Sequence, residues 1–198
     1  MRTAGEFAKS YLTELKAVLD RLPLADLDRV VQTIEAAHAA GRQIFIIGNG
    51  GSAATASHMM NDLGKGTLGH KGDAQWKRFR VIALTDNVSL MTAWANDTDY
   101  ERIFSEPLKN LAQRGDLLVA ISASGNSPNV IAAVEAAKEI GVQVIGLTGF
   151  GGGKLAKMAD VSFVVPSDGY GPVEDVHMIL DHIITGFLYE KLKQTHTK

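Results

Sequence analysis

A chain of 198 residues, 45% hydrophobic and 21% charged, can bury one sizeable core, and 20 Lys+Arg against 22 Asp+Glu leave no basic surplus to direct it to nucleic acid. The absence of cysteine excludes disulfides, thiolate nucleophiles and Cys-ligated zinc, so His and carboxylates are the strong metal ligands available. No stretch is apolar and long enough to span a membrane, and Arg2, Glu6, Lys9, Glu14 and Lys16 break up the N-terminal apolar residues unlike a signal peptide, so a cytoplasmic protein is expected.

The chain opens with two amphipathic helical patterns: Phe7, Tyr11, Leu12, Leu15 and Leu19, then Leu27, Val30, Val31 and Ile34, recur at three- and four-residue spacing. Gln43 to Gly48 is a short, continuous, β-rich run, as expected of a parallel strand buried on both faces. Similar runs follow at Arg80–Thr85, Leu117–Ser122, Val142–Leu147 and Val161–Val165, separated by helical segments. Strands alternating with helices predict a doubly wound α/β sheet of about five parallel strands, flanked by helices on both faces, with ligands at the carboxyl ends of the strands. The last predicted helix, Val173 to Leu192, is apolar on more than one face, which a second copy of the chain could cover. Neither a linker nor a repeat divides residues 1–198, so one domain is expected.

Two loops carry the first functional signal. Gly48-Asn-Gly-Gly-Ser-Ala-Ala54 joins the first strand to a helix, so its backbone N–H groups can converge on an anion or polyol; a plain tight turn is the competing reading. Ile121-Ser-Ala-Ser-Gly-Asn-Ser-Pro-Asn-Val130 follows the third strand and offers the hydroxyls of Ser122, Ser124 and Ser127 beside a helix N-terminus, a neutral cradle suited to phosphate. Ser127 before Pro128 is also a good N-cap, which would account for one of the three hydroxyls. Neither loop has the spacing of a Walker A or a dinucleotide-binding loop, so nucleotides rank behind a sugar phosphate.

Together, GNGGSAATASH at Gly48–His58, LTDN at Leu84–Asn87, AND at Ala95–Asp97, ISASGNSPNV, LTG at Leu147–Gly149 and EDVHMILDH at Glu174–His182 resemble the SIS-domain phosphoheptose isomerases, over nearly the whole chain. The resemblance implies a flavodoxin-like single SIS domain over 1–198, with N-terminal helices (about 4–40) helping to form a homotetramer whose active sites are shared between neighbouring subunits. It implies isomerisation of sedoheptulose 7-phosphate, phosphate held by Ser122, Ser124 and Ser127, and the sugar lying near Asn49, Gly50, Gly51, Ser52 and Asp86.

His58 and Asp62 are four residues apart on a predicted helix that starts at the sugar loop, so both can reach one ion or simply each other. By resemblance, Glu174 and His182 would complete a zinc site with them. Two departures stand out: Asp62 replaces the family's usual glutamate and Glu174 its usual glutamine. Asp reaches about 1.5 Å less far than Glu, and such a misplacement can cost ~10²-fold in rate. Glu174 and His182 are also separated by about 12 Å of helical rise, so a shared ion requires both to stretch, a late helix start or a subunit boundary.

Moving a proton between C1 and C2 through an enediol needs an acid–base pair, assigned here to Asp62 and His182. A dication could polarise the carbonyl, but Asp62 cannot readily be both tight ligand and free base, so zinc is expected to assist rather than to be required. His70, within a Gly- and Lys-rich segment from Gly64 to Lys77 that could cover the site, reads as a solvated loop residue, and His177 and Asp181 read as a helix-surface contact. The competing functions are a non-catalytic SIS sensor or adaptor, against which His58, Asp62 and His182 occurring together argue, and an isomerase of another sugar phosphate.

Overall fold

A computed structural model describes residues 2–68 and 76–196; His70 lies outside them. After helices α1 (Ala4–Leu19) and α2 (Leu24–Ala39), strand β1 (Gln43–Gly48) leads into α3 (Gly51–Gly64). Then come β2 (Arg80–Ala83), α4 (Val88–Asp97), α5 (Arg102–Leu111), β3 (Leu117–Ser122), α6 (Pro128–Ile140), β4 (Gln143–Thr148), α7 (Gly153–Met158), β5 (Val161–Val164) and α8 (Tyr170–His196). The five strands form one parallel sheet in the order β2-β1-β3-β4-β5.

The alternation of side chains along each strand splits the core into two layers. Ile44 and Ile46 of β1 pack with Leu117, Val119 and Ile121 of β3 against α2, α3 and α8. Phe45 and Ile47 face the other way, with Leu118, Ala120 and Val144, onto α5 and α6. Both layers are apolar, so the central strands read as unbroken hydrophobic runs. At the edge, β2 ends at Ala83 rather than at Thr85, and Ile82 is 37% exposed. β4 is displaced by one residue from the predicted run.

Helix α8 begins three residues before the predicted start and continues past Leu192. Pro172 does not stop it, because a proline in the first turn lacks only an N–H that has no helical partner. Tyr11 Oη donates to Asp175 Oδ2 at 2.5 Å, tying α1 to α8; that bond pushes the phenol up to about 12, with burial and the carboxylate's charge acting in the same direction. Val18 is the one buried residue of α1, while Phe7 and Leu12 are 60% and 61% exposed.

The strand order changes direction between β1 and β3, so the connections leaving these neighbours go to opposite faces and open a crevice at their carboxyl ends. The two loops singled out in the sequence lie there, with Gly48 in register with Ile121.

Candidate active site

The first loop is shaped by close backbone approach. A Cβ on Gly48 would lie 2.6 Å from the carbonyl oxygen of Ser52, and Gly50 has φ 53°, ψ −119°, a conformation closed to side chains. Ser52 is buried. Asn49 turns toward the second loop: its Nδ2 donates to Asn129 Oδ1 and its Oδ1 accepts from Asn129 Nδ2, both at 2.8 Å. Tyr100 Oη also donates to Asn49 Oδ1, at 3.3 Å. This amide pair locks the start of α3 to the start of α6. Asn129, 2% exposed, escaped the sequence reading because its partner is 80 residues away.

In the second loop Ser127 occupies the N-cap position of α6, yet its side chain makes no capping bond. Its Oγ lies 3.2 Å from Ser122 Oγ instead. Capping therefore does not account for Ser127, and two hydroxyls converge at the end of β3. Ser124 Oγ accepts from the Asn126 backbone at 3.3 Å. Behind this loop, the Gly149–Lys154 turn acts as a prop: Lys154 N donates to Asn126 Oδ1 at 3.1 Å and Leu155 N to the Gly125 carbonyl at 2.9 Å. Gly125, at φ +64°, has no room for a Cβ against the Gly152 carbonyl.

Asp86, just past β2, accepts from Ser57 Oγ and, at 3.4 Å, from Thr85 Oγ1. Ser57 precedes His58 on α3, so this network joins the β2 loop to the helix that carries the candidate acid–base residues.

Helices α3 and α8 lie side by side in the same direction, with Gly51 against Glu174 and His58 against His182, and Gly66, just past α3, against Thr185. His58 Nε2 is 3.2 Å from His182 Nε2 and 3.4 Å from Asp62 Oδ2. Ligand atoms of His58, Asp62, Asp181 and His182 all lie within 4.8 Å of one another. Neighbouring ligands on a tetrahedral zinc with bonds of about 2.0–2.1 Å are about 3.3–3.4 Å apart, so the spacing and chemistry of this set suit such an ion.

Glu174 is not in this group. A Cβ on Gly51 would come within 2.6 Å of Glu174 Oε2, which puts that carboxylate beside the start of the sugar loop. The seven residues of α3 between Gly51 and His58 rise about 10 Å. Since α8 is already helical at Tyr170, a late helix start does not bring Glu174 back to His182.

The reading of His177 and Asp181 as a surface contact is wrong. Each is 1% exposed, on the face of α8 that packs into the core. His177 Nε2 meets the Thr148 carbonyl at 3.4 Å while Nδ1 has no hydrogen-bond partner. Burial holds this imidazole down at about 4, partly opposed by the Thr148 contact. Asp181 is pushed up to about 6, first by burial and then by the Asp62 carboxylate, with His58, His182 and Thr185 opposing.

With this geometry established, comparison with known proteins decides the family. The SIS domain model matches residues 10–149. A probable phosphoheptose isomerase from Thermoplasma acidophilum is 38% identical over 93% of this chain and 98% of its own. The chain belongs to the phosphoheptose isomerase family of SIS-domain proteins. Among solved members, the phosphoheptose isomerase of Neisseria gonorrhoeae superposes with a TM-score of 0.85 at 31% identity, covering 94% of this chain and 98% of that one. The phosphoheptose isomerase from Francisella tularensis gives the same TM-score at 28% identity, covering 96% and 100%. The phosphoheptose isomerase fold thus includes the N-terminal helices and α8 as well as the sheet.

Proposed function

We propose that the protein is a phosphoheptose isomerase that interconverts sedoheptulose 7-phosphate and D-glycero-D-manno-heptose 7-phosphate through an enediol. The observation that carries this reading is the meeting of His58, Asp62 and His182 on two helices, one of which starts at the sugar loop. A binding module would have no use for that convergence of bases.

Phosphate is assigned to Ser122, Ser124 and Ser127, whose hydroxyls and helix N-terminus donate to an anion without a lysine. Asn49, Gly50, Gly51, Ser52 and Asp86 are assigned to the sugar, Asn49 through backbone and carboxamide groups already oriented by Asn129. Asp62 takes a proton from C1 of the ketose and, after exchange with solvent, delivers one to C2, and His182 serves the two oxygens as their protons exchange. A divalent cation, for which zinc suits this nitrogen and carboxylate set, would supply Lewis-acid polarisation of the carbonyl and stabilise the developing oxyanion. With such an ion bound, His58 and His182 would be its nitrogen ligands.

The exposed apolar residues of α1 and α8, Phe7 and Leu12 with Ile183 (43%) and Phe187 (49%), support a homo-oligomer, and a tetramer is the assembly assigned. No helix among the described residues is long and apolar enough to cross a membrane.

Incubation of purified protein with sedoheptulose 7-phosphate, with chelator and with added zinc, tests the function. Formation of the heptose 7-phosphate under at least one condition is expected. Sugar-phosphate binding without turnover under any metal condition would replace the isomerase with a sensor or adaptor.

A further inference from the structure

Tyr100 lies in the turn between α4 and α5 and is 59% exposed, so burial does not account for where its phenol points. It points to Asn49, 51 residues back in the chain, whose amide is already paired with Asn129. The polarity of that pair is fixed from behind. Val130 N donates to Asn129 Oδ1 at 3.0 Å, and only the oxygen of a carboxamide accepts such a bond. Asn129 Oδ1 therefore faces Asn49 Nδ2, and Asn129 Nδ2 faces Asn49 Oδ1. Asn49 Oδ1 then accepts twice, from Asn129 and from Tyr100 Oη, which uses both of its lone pairs. Two groups are left over. Asn49 Nδ2 keeps one N–H, its other hydrogen being given to Asn129, and Tyr100 Oη keeps its lone pairs, its hydrogen being given to Asn49.

One free donor beside one free acceptor complements a hydroxyl, which accepts from the first and donates to the second. An ionised phosphate or carboxylate only accepts, and would have to displace the Tyr100–Asn49 bond to gain a donor from the phenol. We propose that Asn49 and Tyr100 together recognise one hydroxyl of the sugar, with Tyr100 as its acceptor. The assignment rests on the sugar-phosphate reading of the site and divides the ligand between the two loops. The serine loop supplies donors to the anion, and the Asn49–Tyr100 pair selects a hydroxyl-bearing chain attached to it. Asn129 is the positioning residue of this arrangement, since its buried amide, pinned by Val130, keeps the Asn49 donor turned outward.

Binding of sedoheptulose 7-phosphate, measured by calorimetry on the unchanged protein, Tyr100→Phe, Ser127→Ala and the double variant, tests the assignment. Phe keeps the ring and removes only the hydroxyl at an exposed position, so Tyr100→Phe should fold as the parent does. Asn49 stays held by Asn129 in that variant, so a loss of affinity reads the phenol's own contact with the sugar. Tyr100→Phe should weaken binding by about 3–10-fold, the value of one neutral hydrogen bond. The same factor should reappear in the Ser127→Ala background, because the two residues hold different parts of the ligand. Unchanged affinity in Tyr100→Phe would overturn the proposal, as would a loss that disappears in the Ser127→Ala background, since Tyr100 would then act through the phosphate loop. A parent that does not bind the sugar phosphate would overturn this assignment and the functional reading together. Because binding is read without turnover, a parent that binds through Tyr100 but isomerises nothing would refute the isomerase and leave the contact standing.

Discussion

His58 and His182 stand 124 residues apart in the chain and bring their Nε2 atoms to 3.2 Å. Both are exposed, so the contact contributes little to the core, and in the proposed reading the two imidazoles act on what the site binds. His182→Ala and His58→Ala should therefore retain the parent's unfolding midpoint within experimental error while kcat/KM for the heptulose phosphate falls by about 10²–10⁴-fold. Steady-state kinetics beside thermal unfolding checks this; a large loss of Tm with activity per folded molecule retained would mean the pair is structural.

The contact between Ser127 and Ser122 makes a second prediction. Because the Ser127 side chain does not cap α6, Ser127→Ala should destabilise the protein by less than the ~1 kcal/mol typical of a lost cap. Its KM should nevertheless rise about tenfold, the equivalent of one hydrogen bond to a charged group, about 1.4 kcal/mol. Urea unfolding and initial-rate kinetics on the same preparation separate the two effects.

His177 makes the fold acid-sensitive. Its folded value of about 4 lies below the ordinary 6.5, so the unfolded chain takes up a proton that the folded chain refuses. The stability this provides is complete above pH 6.5 and drains away as the pH falls toward 4. Between pH 7.5 and pH 5 the loss from this one group should be about 2 kcal/mol. His177→Gln should flatten that part of the pH–stability profile, as measured by urea unfolding at a series of pH values. An unchanged slope would mean that His177 is not buried in neutral form.

Ile183 and Phe187, one turn apart on α8, remain 43% and 49% exposed in the isolated chain. If they face a second copy, Ile183→Glu with Phe187→Glu should give a smaller species by light scattering, with activity reduced in parallel if the sites are shared between subunits. An unchanged molar mass would locate the subunit contact elsewhere.

These relationships also mark what could be read from the sequence. The central strands were legible because burial on both faces writes a parallel strand as an unbroken apolar run, as in Ile44 to Ile47, and the loops because glycine and serine cluster where backbone must approach a ligand. At the sheet edge the signal weakens, and β2 stops short of the predicted Thr85. The i, i+4 spacing of His177 and Asp181 shows that they share a face of α8, but not which face, since a helix apolar on more than one face leaves that choice to its neighbours. Glu174 illustrates the same limit: the lateral register of α8 against α3, which puts Glu174 beside Gly51 and His182 beside His58, is a property of packing and not of local pattern.

The most direct test of the central claim is to follow sedoheptulose 7-phosphate in D2O by NMR with the purified protein. An enediol route, with Asp62 exchanging its proton with solvent between C1 and C2, predicts a heptose 7-phosphate carrying deuterium at C2. Absence of the aldose would contradict the isomerase assignment, and an aldose with hydrogen fully retained at C2 would contradict exchange of the Asp62 proton with solvent.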